Sequence, residues 1–184
     1  MFDRERFIED CRAALKERDT HAAVRELVVR AVSEPTQIVR ALGEPQRAGV
    51  DTIYKADDLT ILNLCWGPRM KFKPHDHHMW AVIGIYEGCE QNVFYQRAEH
   101  GLKQHGSKDL HVKDAVPLGA AIIHAVTNPL DQVTAAIHVY GGDFFATARS
   151  EWDPESLQER PYDVADTMRA FEEANERLRG KVDH

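Results

Sequence analysis

The feature that most constrains the fold is a series of short segments, between about residues 51 and 149, that are rich in Ile, Val, Tyr, Phe and Thr. Turn residues close these segments, as Gly67-Pro68 and Gly141-Gly142 do. Runs of β-branched and aromatic residues bounded in this way are typical of strands. Many short strands at this spacing predict an antiparallel sandwich or barrel.

Nine strands are predicted in this region, and the polar stretch His100–Lys113 is predicted to be a mobile loop. The predicted strands are Thr52–Lys55, Leu59–Trp66, Met70–Phe72, Trp80–Tyr86, Asn92–Gln96, Leu110–Lys113, Ala120–Val126, Val133–Tyr140 and Phe144–Ala148.

Helical patterns flank the strands on both sides. Apolar residues recur at helical spacing in residues 1–45, and an apolar stripe that includes Val164, Met168 and Phe171 marks residues 151–184 as helical. A chain of 184 residues falls within the roughly 100–200 residues of one domain. We therefore expect a single domain, with a helical segment at 1–45, a β segment at 51–150 and a helical segment at 151–184.

Composition excludes several classes of protein. The chain has 23 Lys and Arg against 30 Asp and Glu, a net charge of −7, which argues against a nucleic-acid or anionic-membrane surface. No apolar run reaches the roughly 20 residues of a membrane span, and the first residues lack the apolar core typical of a signal peptide, so none is expected. Three cysteines without a C-x-x-C motif do not suggest a disulfide framework. We expect a soluble cytoplasmic protein that is a monomer or a homo-oligomer.

Histidine is concentrated in the middle of the chain. Eight of the ten histidines lie between positions 75 and 138, and the densest group is His75-Asp76-His77-His78. Side chains alternate between the two faces of a strand, so His75 and His77 are predicted to share a face and His78 to point away. Such a pair can hold a metal ion, although an isolated pair is as often found without one.

A wider pattern surrounds this pair. It consists of Gly67, His75-x-His77 and Gly88, followed by Pro117-x-Gly119-x4-His124-x3-Asn128. Over residues 51–145 this resembles the two-part signature of the cupin superfamily. The resemblance implies a mainly β fold, namely a cupin (double-stranded β-helix, jelly-roll-like) barrel flanked by N-terminal helices and a C-terminal helix. It also implies a metal ion held by His75, His77 and His124.

The first half of the signature departs from the common cupin pattern. A glutamate ligand usually follows the histidine pair, but here the corresponding place holds Ala81, Val82 and Ile83. The ligands would then be three neutral imidazoles, which suit Fe, Zn, Cu and Ni alike.

A narrower resemblance comes from four runs of residues. These are Cys65-Trp66-Gly67, His75-Asp76-His77, His124-x3-Asn128 and Ile137-His138-Val139-Tyr140. They look like the thiol dioxygenases, the cupin branch that includes cysteine dioxygenase and 3-mercaptopropionate dioxygenase. The resemblance implies Fe(II) on the three histidines, with zinc or nickel possible in recombinant protein. It also implies that His138 and Tyr140, two residues apart on one strand, orient substrate and dioxygen.

Two positions depart from this branch. Ala136 stands where the family motif has a serine, so one hydroxyl of the relay is missing. Val82 stands where cysteine dioxygenase has the cysteine that becomes linked to the tyrosine, so no thioether is expected at Tyr140.

The residue that would bind a substrate carboxylate also differs between branches. Cysteine dioxygenase has an arginine two residues after a tyrosine, but here Tyr54 is followed by Lys55 and Ala56. The mercaptopropionate branch has an arginine shortly after the HxY strand, where this chain has Arg149. The planar guanidinium fork suits a carboxylate. An exposed arginine at the end of a strand is an equally good interpretation of Arg149 from sequence.

These resemblances lead to a specific expectation about function. The chain is expected to be a mononuclear non-haem iron dioxygenase that uses O2 to oxidise a small thiol carboxylate, similar to 3-mercaptopropionate or cysteine, to its sulfinate. Neither nucleic acid nor membrane is an expected partner. Two alternatives stay open at this point: a cupin dioxygenase that acts on a non-thiol organic acid, which Ala136 favours, and a non-catalytic metal-binding sensor.

Overall fold

The structure is a computed structural model that describes residues 1–182, in which three helices are followed by eleven strands and a fourth helix. The helices are α1 (Arg4–Ala14), α2 (Thr20–Val32), α3 (Pro35–Leu42) and α4 (Val164–Val182). The strands are β1 (Gly49–Lys55), β2 (Thr60–Trp66), β3 (Lys71–Asp76), β4 (Ala81–Glu87), β5 (Cys89–Ala98), β6 (Gly101–His111), β7 (Ala115–Leu118), β8 (Ile123–Thr127), β9 (Thr134–Tyr140), β10 (Ser150–Trp152) and β11 (Glu159–Pro161).

The strands form two antiparallel sheets. One sheet has the order β1-β2-β9-β4-β7, and the other has the order β11-β10-β3-β8-β5-β6. Three helices precede the sheets and one long helix follows them. The prediction of a mainly β antiparallel fold with helices at both ends is therefore confirmed.

Alternating side-chain directions explain how the five-stranded sheet fits between two layers. On β2, Ile61 and Cys65 pack with the N-terminal helices, whereas Leu62, Leu64 and Trp66 face the other sheet. A strand that is covered on both faces is buried along its whole length, as this one is. The inner face of the sheet consequently forms one wall of the space between the two sheets.

The prediction of a loop at His100–Lys113 is wrong, because most of this segment is strand β6. This strand pairs with β5 from Ala98↔Gly101 to Cys89↔His111. Only Leu102 and Leu110 of β6 are buried. A hairpin at the edge of a sheet needs few apolar contacts, so its sequence looks as polar as a loop.

The strand predicted at Phe144–Ala148 is also absent from the structure. The carboxylate of Asp143 accepts hydrogen bonds from the backbone N–H groups of Phe145 and Ala146, which holds a turn. The strand forms a few residues later as β10, where Glu151 pairs with His75 on β3.

The C-terminal segment differs from the helix expected over 151–184. It begins with β10 and β11, which extend the six-stranded sheet, and only then continues as α4. The last two residues of that segment lie outside the described residues. None of the described helices combines the length and the apolar character needed to cross a bilayer.

Candidate metal centre

Three buried histidines converge between the sheets. His75 at the end of β3 pairs directly with His124 on β8, and His77 lies just beyond the end of β3. One ring nitrogen from each of the three lies within 4.8 Å of the others. The Nε2 atoms of His77 and His124 are 3.4 Å apart. Sequence positions 49 residues apart are thus brought to one point, as the two-part signature implied.

Hydrogen bonds leave the Nε2 atoms of two of these rings free to bind a metal. His75 Nδ1 lies 2.9 Å from the carbonyl oxygen of Lys73, which can only accept, so this nitrogen carries the proton. His124 Nδ1 donates in the same way to Asn92 Oδ1 at 2.7 Å. The lone pairs on the opposite nitrogens are therefore available, which is the arrangement usual for metal-binding histidines.

Burial keeps the three imidazoles neutral. Desolvation lowers the pKa of His75 to about 4, and it lowers the pKa values of His77 and His124 well below the usual range. The neighbouring imidazoles add to the lowering for His77 and His124. A neutral imidazole is the form that binds a metal ion. The donor set therefore fits a divalent cation.

His78 lies away from the cluster, but β3 ends at Asp76, so strand alternation is not what turns it away. Its backbone has a φ of 53°, and its ring bonds to the Ala148 carbonyl and pairs with the Asp76 carboxylate, each at 2.9 Å. Its side chain is about half exposed. Of the three histidines in this run, His75 and His77 join the cluster with His124 and His78 does not.

The three histidines face a cavity of about 230 Å³ between the sheets. Helix α4 closes one side of it with Val164, Thr167, Met168 and Phe171. Aromatic and aliphatic side chains form most of the remaining wall, and none of the described residues that line the cavity is acidic. Such a wall excludes water and strengthens any electrostatic contact made inside.

Arg149 carries the positive charge of this wall. Its Cζ atom lies 4.0 Å from the ring centroid of Phe144 and 4.3 Å from that of Tyr162, so the guanidinium is held between two aromatic rings. Its Nη1 atom is buried and has no hydrogen-bond partner within residues 1–182. A buried donor of this kind is costly unless a ligand satisfies it. Lys55, which stands beside the position of the cysteine dioxygenase arginine, pairs with Asp143 at 3.2 Å and does not line the cavity.

His138 and Tyr140 form a buried pair on β9 that also lines the cavity. His138 Nδ1 and the Tyr140 hydroxyl oxygen are 3.0 Å apart. The Nε2 atom of His138 has no hydrogen-bond partner in the described part of the chain, and it lies 3.9 Å from Glu90 Oε2. A carboxylate at this distance favours the tautomer with the proton on Nε2. In that tautomer the Tyr140 hydroxyl donates to Nδ1.

Sequence reasoning missed two buried polar residues behind the cluster, Glu90 and Asn92 on β5. The Glu90 carboxylate accepts hydrogen bonds from Trp66 Nε1 and Asn92 Nδ2, both at 2.9 Å. These contacts fix which end of the Asn92 amide faces His124. The signal in the sequence was that the two polar residues are two positions apart, but polar residues on the exposed face of a strand have the same spacing.

Asn92→Ala is expected to weaken metal binding roughly 10- to 100-fold, the usual effect of removing a partner of a metal-binding histidine. The His124 ring would lose the acceptor that fixes its orientation and its tautomer. Zinc affinity measured by competition with a chelator checks this. Asn63→Ala is the matched control, because Asn63 is a buried asparagine that bonds Tyr86 and not a histidine. An equal loss in both variants would contradict the role given to Asn92.

The metal-free protein is expected to lose stability steeply in acid. Burial lowers the pKa of His138 to about 3, and the three cluster histidines are lowered as well. A folded-state pKa below the unfolded value of about 6.5 gives stability that is complete above that pH and lost as the pH falls below it. Each such histidine contributes a slope of up to about 1.4 kcal/mol per pH unit.

Urea unfolding at pH 7.5 and pH 5.0, with and without zinc, checks this prediction. Between these two pH values each of the four histidines should lower the free energy of unfolding by about 2 kcal/mol. The total is comparable with the whole stability of a typical domain. Bound zinc should reduce the loss, because protons must first displace it. Equal free energies of unfolding at the two pH values would contradict the burial of neutral histidines.

The register of β4 bears on the thioether that cysteine dioxygenase contains. Val82 packs against the N-terminal helices, and the residue directly across from Tyr140 is Ala81. The position facing the tyrosine is therefore one residue earlier than the sequence comparison suggested. Neither residue is a cysteine.

We expect Tyr140 to remain unmodified in the purified protein. The intact mass should equal the sequence mass, without the loss of two hydrogens that a thioether causes. Cys11 and Cys65 lie in the cluster packed on the helices, and Cys89 lies beside Thr134 at the far end of β9. A peptide joining Tyr140 to any of these cysteines would contradict the structure.

Comparison with known proteins finds similar structures at low identity. DMSP lyase DddQ from Ruegeria pomeroyi DSS-3 is 20% identical over 59% of this chain and 53% of its own, with a TM-score of 0.47. The match thus spans about half the length of that lyase. An RmlC-like cupin family protein with a double-stranded β-helix fold from Methanocaldococcus jannaschii is 8% identical over 54% of this chain and 84% of its own, with a TM-score of 0.46.

Oxalate decarboxylase from Lactobacillus farciminis, solved as a formate complex, is 20% identical over 48% of this chain and 25% of its own, with a TM-score of 0.40. No protein-family model matches the sequence. Likenesses this distant do not decide what the chain does. Any function has to be argued from the site.

Proposed function

We propose that this chain is a metal-binding cupin enzyme, a mononuclear non-haem iron dioxygenase that oxidises a small thiol carboxylate to its sulfinate. The observation that carries the proposal is that Arg149, whose buried Nη1 atom has no hydrogen-bond partner among the described residues, lines the same cavity as the three converging imidazoles. One cavity therefore offers a metal-binding face and a donor that suits a carboxylate.

The metal would be held by His75, His77 and His124 through neutral imidazole nitrogens. The chemistry that Fe(II) supplies when bound is the activation of dioxygen for transfer to sulfur. Arg149 would bind the substrate carboxylate through its planar fork and so place the thiol end of the molecule toward the histidines. The aromatic rings of Phe144 and Tyr162 hold the guanidinium in this position.

His138 and Tyr140 would position the reacting groups. The tyrosine hydroxyl lies in the cavity wall, and its bond to His138 Nδ1 fixes the direction of its proton. Burial raises the pKa of Tyr140 above its usual value, so the phenol stays protonated. It can therefore accept a hydrogen bond from substrate on its oxygen while it donates its own proton to His138 Nδ1.

The overall reaction needs no external reductant. The thiol R–SH and O2 combine to R–SO2H, so both oxygen atoms enter the product. Sulfur loses four electrons, and these reduce the dioxygen.

The charge of the wall selects between thiol carboxylates. No described lining residue is acidic, and Arg149 is positive. An α-ammonium group such as that of cysteine would meet no counter-charge and would lose its hydration. We therefore favour a substrate similar to 3-mercaptopropionate over cysteine.

A dioxygenase acting on a non-thiol organic acid is the second candidate. Ala136 favours it, because the position of the family serine is filled by a methyl group packed between β2 and β4. That reaction would use the same metal face and the same arginine.

Dioxygen uptake by iron-loaded protein tests the two candidates. The panel should contain 3-mercaptopropionate, cysteine and matched carboxylic acids without a thiol. Uptake with a 1:1 yield of sulfinate supports thiol oxidation, and uptake with thiol-free acids supports the second candidate. Metal binding without uptake on any acid would leave a metal-binding sensor and would contradict both enzymes.

A further inference from the structure

The mouth of the cavity is unusually apolar. Seven large hydrophobic side chains are exposed among the described residues, and four of these line this one cavity. The four are Val50, Phe145, Val164 and Met168, which are between 37% and 60% exposed. Single exposed hydrophobic residues are ordinary on a surface, but four gathered at one opening form a patch.

The apolar surface continues inward from this rim. Leu62, Leu64 and Trp66 form part of the wall from β2, and Phe171 of α4 stacks on Trp66 with ring centroids 6.0 Å apart. Thr167 is the polar residue that α4 contributes to this wall. Its hydroxyl already donates a hydrogen bond to the Tyr162 hydroxyl oxygen. A path lined by hydrocarbon thus leads from the opening to the histidines.

The charged end of a ligand would lie deep in this path. Phe144 contacts Arg149 and also stacks against Tyr140, with ring centroids 4.3 Å apart. Tyr162 contacts Arg149 and lies 5.9 Å from the His75 ring. The guanidinium is therefore one aromatic ring away from the metal-binding face, and the hydrocarbon lies on the side of the rim.

We propose that the substrate of this site is an amphipathic carboxylate with a branched or aromatic hydrocarbon skeleton, whose apolar end contacts the α4 side of the rim. That the molecule is also a thiol rests on the proposed function, whereas its carboxylate and hydrocarbon are argued from the cavity itself. The cavity of about 230 Å³ is smaller than the roughly 300–1,000 Å³ of drug-sized sites, so the skeleton is compact, about the size of one phenyl ring.

Binding to zinc-loaded protein, which does not turn over, tests this by calorimetry. The probes are propionate, hexanoate, 3-phenylpropionate and phenethylamine. Each buried methylene is expected to tighten binding about fourfold, equivalent to about 0.8 kcal/mol. We expect hexanoate and 3-phenylpropionate to bind at least about 30-fold more tightly than propionate. The amine, which has the same ring and the opposite charge, should not bind.

Met168→Glu places a charge on the rim and is expected to reduce the ratio of the 3-phenylpropionate and propionate affinities at least about tenfold. Val29→Glu is the matched control, because Val29 is also an exposed helical residue, 39% exposed against 50% for Met168, and lies outside the cavity. It should leave that ratio unchanged.

The outcomes separate this inference from the proposed function. Equal affinities for all the carboxylates would overturn the apolar substrate and leave the dioxygenase proposal standing. Tight binding of hydrocarbon probes with no turnover of any thiol would support the substrate class and overturn the thiol reaction. A dimer that Met168→Glu dissociates, with no change in the affinity ratio, would show that the rim is a contact between copies and would overturn the inference.

Discussion

His77→Ala is expected to remove the bound metal, reducing the content of a zinc-loaded sample from about one ion per chain to a small fraction. Structural zinc sites bind with roughly 10–16 kcal/mol over four ligands, so one imidazole accounts for about 3 kcal/mol, or about 150-fold in affinity. His77 contributes one of the three nitrogens within 4.8 Å of each other, and the described residues offer no fourth donor to replace it.

His78→Ala provides the matched control. It removes the adjacent histidine, whose ring bonds outward to Ala148 and Asp76. We expect this variant to keep about one ion per chain, measured by elemental analysis after dialysis. Retention of metal by His77→Ala together with its loss from His78→Ala would show that the register of this segment is wrong.

The pairing of His75 with His77 could be anticipated from sequence, because residues two apart on a strand share a face. Strand alternation was enough to predict that His75 and His77 lie together and His78 apart, although β3 ends at Asp76 and the left-handed backbone of His78 lies outside the strand. The addition of His124 needed the second half of the signature, since no local rule relates residues 47 positions apart. In the structure the β3–β8 pairing supplies that link, with His75 directly opposite His124.

The supporting network could not be anticipated, because an inward polar face and an outward one have the same period. Glu90 and Asn92 alternate as residues on a solvated face do, yet both are fully buried and bond to each other. Desolvation raises the pKa of the Glu90 carboxyl, and its hydrogen bonds to Trp66 and Asn92 oppose this. Only the three-dimensional position of β5 between β6 and β8 shows which face of the strand is buried and which is exposed.

One residue beside Tyr140 was assigned to the wrong position on its strand. The comparison by position gave Val82 as the residue facing Tyr140, but the pairing of β4 with β9 gives Ala81. A shift of one residue exchanges the faces of a strand. Arg149 could likewise have been an exposed strand end, and it faces the cavity because the turn at Asp143 moves the next strand to β10.

Arg149→Ala is expected to lower kcat/KM for 3-mercaptopropionate roughly 10- to 150-fold. The change deletes a charge-assisted contact worth on the order of 1.5–3 kcal/mol, and each 1.4 kcal/mol is tenfold. The same variant should lose little activity on 1-propanethiol, which has the same chain length and no carboxylate. Arg149→Lys should recover part of the loss, since it restores the charge but not the planar fork.

Lys55→Ala is the control for this experiment. Lys55 is the cation beside the position where cysteine dioxygenase has its arginine, but it pairs with Asp143 outside the cavity and should be replaceable with little effect on either thiol. Urea unfolding of the Arg149 variants separates loss of binding from loss of fold, because the guanidinium also packs between Phe144 and Tyr162. Equal losses on the acid and on the neutral thiol would mean that Arg149 supports the wall and does not bind the carboxylate. The preference for a mercaptocarboxylate would then lose its main support, while the metal centre, which depends on other residues, would be unaffected.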